Sequence, residues 1–148
     1  MTTEEFLMGY RDGLHLLRLI DEEEQYLMTS LCRTTPGYSS VTVSHGPNVN
    51  KIPDGIADLD MLRREHEAAR AEAGHRMMEV RRVIMLVADT RLRDILAKRY
   101  LLDHQMKEIA LELGISSGRL SELHRMAVDE VTLILGKMRS DMNRSEEI

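Results

Sequence analysis

The residues best suited to chemistry lie close together in the last third of the chain. They are Ser116, Ser117, Gly118, Arg119, Ser121, Glu122 and Arg125, with Lys107 a short way before them. An arginine can grip guanine O6 and N7 or a phosphate, and a glutamate can accept from a cytosine amino group. Serines at the start of a helix suit a phosphate oxygen, because the unpaired amides there point the same way. Lys107 and Arg125 add positive charge for phosphates, although either also reads as an ordinary solvated side chain. This is chemistry for holding and reading a nucleic-acid duplex. Bond-breaking chemistry has no comparable set. His15, His45, His66, His75, His104 and His124 are scattered without an HExxH spacing, and Cys32 is the single cysteine. No Gly-x-x-x-x-Gly-Lys-Ser/Thr loop is present. We therefore expect no catalytic residue, no metal site and no cofactor.

Those positions act together only if they sit on one end of a helix. Ile109, Ala110 and Leu113 form one short apolar face, and Leu120, Leu123, Ala127 and Val131 form a longer one. Gly114-Ile115-Ser116 separates them, and Ser116 is a natural N-cap. Two helices joined by a short turn with glycine make the helix-turn-helix pattern, whose second helix enters a major groove. Asp89 starts a preceding helix through Leu92, Ile95, Leu96, Tyr100 and Leu101, which Asp103-His104 breaks. The expectation is a three-helix domain over 88–139, with a polar, flexible tail over 140–148.

The N-terminal part reads as long helices. Thr2 and Glu5 have capping-box spacing, and Phe6, Tyr10, Leu14, Leu17, Leu27 and Leu31 recur at helical multiples. The run Asp21-Glu22-Glu23-Glu24 interrupts this stripe and reads as a solvated face. All three prolines, Pro36, Pro47 and Pro53, fall between Thr34 and Gly55, which marks a linker over 34–55 with room for a brief extended piece at Ser40–Ser44. Asp54 is the expected cap of a second helix from about Ile56 to Val87. Its residues Leu59, Leu62, His66, Ala69, Ala73, Val80, Val83 and Val87 follow the 3,4 spacing of a coiled-coil seam. His66 is a polar seam position, expected to be partly buried and hydrogen-bonded. The first helix folded back as an antiparallel partner is the simplest way to cover this seam, and a second copy of the chain is the obvious addition. The expected fold class is therefore all-α. A coiled-coil-like helical hairpin over 1–87, serving oligomerisation, precedes the helix-turn-helix domain.

Composition agrees. The 148 residues are 43% hydrophobic and 30% charged, with eleven Met and no Trp, a balance that suits helices packed by flexible side chains. A lone cysteine and the absence of a long apolar run or basic leader point to a cytoplasmic protein with no membrane partner. The net charge of −5 is unevenly spread: from Asp89 to Arg139 nine Lys/Arg stand against eight Asp/Glu, a balance of +1, so the rest of the chain carries −6.

The string Lys107-Glu108-Ile109-Ala110, Leu113-Gly114-Ile115-Ser116, Arg119 to Arg125 and Ala127-Val128 resembles the fourth conserved region of bacterial sigma factors. In that family it builds the helix-turn-helix that reads promoter DNA. The layout, with Arg99-Tyr100-Leu101 before the last two helices, is also similar to small phage-encoded proteins of the late-gene-activator kind. The resemblance implies a DNA-binding transcriptional regulator, acting on double-stranded DNA as a homodimer or larger homo-oligomer. It departs from the sigma pattern at Ser117, Gly118, Ser121 and Glu122, where that family carries Arg or Gln at several positions. Two other readings fit the same elements: a small-terminase-like packaging protein, and an adaptor that touches RNA polymerase.

Overall fold

The computed structural model describes residues 1–34 and 51–147, with side chains over 1–31 and 57–147. The expectations for the linker centre, including Pro36, Pro47 and the Ser40–Ser44 stretch, lie outside the described residues. Within them all regular structure is helical: α1 (Thr3–Thr34), α2 (Lys51–Met85), α3 (Thr90–Leu96), a π-helical turn (Ala97–Leu101), α4 (Met106–Leu113) and α5 (Ser117–Glu146).

The helix ends form where local chemistry satisfies their free amides and carbonyls. At the start of α1, Glu5 N donates to Thr2 Oγ1 at 3.2 Å and Thr2 N to Glu5 Oε2 at 2.8 Å, the reciprocal pair expected from their spacing. Asp89 Oδ1 accepts from Arg91 N at 2.9 Å and opens α3. Ser116 Oγ accepts from Arg119 N at 3.1 Å and opens α5. Two boundaries differ from the sequence reading. Helix α2 begins at Lys51 and not after Asp54. Pro53 is tolerated there because a first-turn residue has no intrahelical acceptor to lose. Helix α5 continues past Met138 to Glu146, through residues read from sequence as a tail.

The chain divides into two compact units, Met1–Leu14 with Gly74–Ile148 and His15–Ala73. The first has a continuous apolar core. Leu7 from α1 and Val80, Val83, Ile84 and Val87 from the end of α2 are packed with Leu92, Ile95, Leu96, Tyr100, Ile109, Leu120, Leu123, Ala127 and Val131. Residues on both sides of position 87 thus share one core. Gly9 permits a close approach within it, since a Cβ there would come within 3.2 Å of Arg76 Cδ. In the second unit the buried side chains among the described residues are Ile20, Ala73 and one polar residue, His66.

Candidate functional site

Helices α4 and α5 pack on each other, and α5 also packs on α3. Ile109 and Ala110 on α4 and Leu120 and Leu123 on α5 are buried, so the facing surfaces are the ones that the apolar spacing marks. The chain reverses between them at Gly114, whose φ of 65° and ψ of 34° lie in the left-handed region. Glycine is needed there for the backbone angle alone, because a Cβ would meet nothing within 4 Å. Ile115 N donates to Ala110 O at 3.1 Å and closes the end of α4. The next free backbone groups are then the first amides of α5, under the Ser116 cap.

This geometry presents the sequence-identified residues on the surface of the first two turns of α5. Ser116, Ser117, Gly118, Arg119, Ser121, Glu122 and Arg125 are all exposed, and so is Lys107 on α4. Besides the Ser116 cap on Arg119 N, two pairs of them are already engaged with each other. Arg119 Nη1 lies 3.0 Å from Glu122 Oε2, and Ser121 Oγ donates to Ser117 O at 3.0 Å. The outward side of α5 also carries Asp129, Glu130, Met126 and Leu133, all exposed. Its charge is therefore mixed, and it includes apolar surface.

The seam residues of α2 belong to two places. Leu59, Leu62, His66, Ala69 and Ala73 lie in the second unit, and Val80, Val83 and Val87 lie in the first. His66, Ala73 and the three valines are buried by this chain itself, while Leu59, Leu62 and Ala69 are half-buried.

Several positioning residues have no sequence signature. Arg11 reaches from α1 to donate to Arg99 O at 2.9 Å, and it forms an ion pair with Asp103. Asp103 is the one non-glycine residue of positive φ, 58°, among the described residues. It ends the π-helical turn just before α4. Lys98 Nζ lies 2.7 Å from Glu112 Oε2, tying that turn to α4, and holds the Glu112 carboxyl below the usual range. Tyr100 Oη and His124 Nε2 are 2.8 Å apart with their rings stacked, joining the turn to α5. Burial pushes the Tyr100 hydroxyl up and the His124 imidazole down, so it favours the neutral form of each partner in this hydrogen bond. Separations from 14 residues (Lys98 to Glu112) to 92 (Arg11 to Asp103) hide these pairs from any local pattern.

Among the described residues no group of His, Cys, Asp and Glu is arranged to hold a metal ion, and no helix is long and apolar enough to cross a membrane. What the fold and surface define is an all-helical protein with a capped helix pair on one unit and an ion-paired helical pair in the other. The chain belongs to the family described as "Protein of unknown function (DUF1492)", whose model matches residues 32–132. That span runs from the end of α1 to Thr132 in α5, so it includes Lys107 and the exposed residues from Ser116 to Glu130, while Leu133 lies just outside it. No curated protein and no solved structure matches the chain.

Proposed function

We propose that α3, α4 and α5 form a sigma-like helix-turn-helix that binds double-stranded DNA, in a phage or prophage transcriptional regulator. The observation that carries this reading is the left-handed Gly114 between two helices packed through Ile109, Ala110, Leu120 and Leu123. A short glycine turn between packed helices is the support such a motif requires. In this reading Ser116 and Ser117 meet a phosphate, Lys107 and Arg125 supply backbone charge, and Arg119 with Glu122 contacts base edges. The helical pair of the second unit serves as the antiparallel hairpin of an oligomer. One module makes a small interface, and a homodimer would supply a second half-site. Because the α2 seam is largely covered within the chain, self-association would use other faces.

Titration of a fluorescent duplex at several salt concentrations tests this. Affinity should fall steeply with salt, and Lys107→Ala or Arg125→Ala should each lower the slope by about one unit. Salt-independent or undetectable binding would overturn the reading. The exposed Met126 and Leu133 beside Asp129 and Glu130 favour a second one, an adaptor that docks a protein such as RNA polymerase. Polymerase capture that persists in Arg119→Ala, without DNA affinity, would select it.

A further inference from the structure

In the second unit, the one buried polar side chain among the described residues is placed between two carboxylates. His66 on α2 has Nδ1 at 3.1 Å from Glu24 Oε1 and Nε2 at 3.1 Å from Glu23 Oε2, both on α1. Arg70, one turn along α2, sits 2.8 Å from Glu24 Oε2 and 3.1 Å from Asp21 Oδ1. Partners fall in number along α1 as they rise along α2, so the cluster fastens two opposed helical stretches. An imidazole has one N–H when neutral and two when charged. Ionised carboxylates only accept. With a neutral ring, one of the two 3.1 Å contacts sets a nitrogen lone pair against a carboxylate oxygen; with imidazolium, both are charge-assisted hydrogen bonds.

We infer that His66 with Glu23 and Glu24 is a proton-dependent clasp, which fastens α1 to α2 while the imidazole carries both hydrogens and loosens when one is lost. The charged groups around it fit that role. From α1 come Asp21, Glu23 and Glu24; from α2 come Arg63, Glu67 and Arg70, which face the same groove. Four carboxylates against two guanidinium groups leave an excess of negative charge, which an imidazolium reduces. The hydrogen bond from Arg70, the largest influence on it, holds the Glu24 carboxyl below its usual range, so the acceptor persists in mild acid.

Amide hydrogen exchange on the full chain tests this, read separately for residues 17–31 and 59–73 and for residues 92–131, and corrected for intrinsic exchange. Between about pH 5.5 and pH 8, opening of the first set should rise roughly tenfold, the size of one lost charge-assisted hydrogen bond. The second set should not follow. In His66→Gln that rise should vanish while α-helical content is kept. If His66→Gln loses helix, Glu23→Gln takes its place and should reduce the rise. Opening that does not increase with pH in the wild type, or an undiminished increase in the variant that keeps its helices, overturns the inference.

Discussion

Arg119 and Glu122 form an exposed ion pair, Nη1 to Oε2 at 3.0 Å, across one turn at the start of α5. The residue best suited to grip a base or a phosphate is thus partly neutralised in the free protein. Binding DNA would require the pair to be broken or shared. Exposed pairs of this kind are weak, so the cost is small, but the carboxylate itself repels phosphate. Glu122→Gln should therefore raise affinity for duplex DNA severalfold and lower sequence preference. Anisotropy titration with two unrelated duplexes measures both.

Gly114 and Ser116 define how α4 hands over to α5. Gly114→Ala forces a Cβ into the left-handed region and should destabilise the first unit by about 1–2 kcal/mol. Ser116→Ala removes the cap on Arg119 N and should cost about 1 kcal/mol. Urea unfolding followed by circular dichroism gives both values. Because these residues share one turn, the double variant should deviate from their sum.

The buried Tyr100–His124 pair makes the first unit sensitive to acid. The folded-state pKa of His124 is lowered, chiefly by burial. Its contribution is therefore fully present above the ordinary histidine pKa. It declines as the pH falls through that range toward the lowered folded value, because the unfolded chain takes up the proton first. Unfolding midpoints between about pH 7.5 and pH 5.5 should fall for the wild type and fall less for His124→Gln. The sign is opposite to that of the His66 clasp, so exchange data read by unit separate the two histidines.

Arg11 is expected to matter beyond its own helix. Arg11→Met retains the apolar stem but removes the guanidinium that holds Arg99 O and pairs with Asp103. A loss of about 1.5–3 kcal/mol should follow, the range for hydrogen bonds to charged groups. Chemical-shift changes in α4, which begins just after Asp103, would show that the turn has lost its anchor.

These four sites differ in how readable they were. Thr2 with Glu5, Asp89, Gly114 and Ser116 all act within a few residues, so spacing reveals them. The same locality exposes the packing faces of α4 and α5 through Ile109, Ala110, Leu120 and Leu123. Arg11 with Asp103, and Tyr100 with His124, are pairings across the fold, and periodicity carries no information about which elements meet. The seam of α2 shows the same boundary. Its 3,4 spacing predicts burial of His66, Ala73, Val80, Val83 and Val87, but not that they divide between two units. The start of α2 at Lys51 was hidden for another reason, since a proline reads as a stop unless its place in the first turn is known. Reading the Asp21–Glu24 run as solvent-facing missed that Glu23 and Glu24 meet His66, because charge runs look alike whether or not a partner waits opposite.

The most direct measurement of the DNA-binding proposal is selection of bound fragments from the DNA of the source genome, sequenced for the wild type and for Arg119→Ala/Arg125→Ala in parallel. The proposal predicts a shared sequence element enriched by the wild type and lost by the double variant, with α-helical content unchanged. Equal recovery by both proteins, or fragments with no common element, would contradict it.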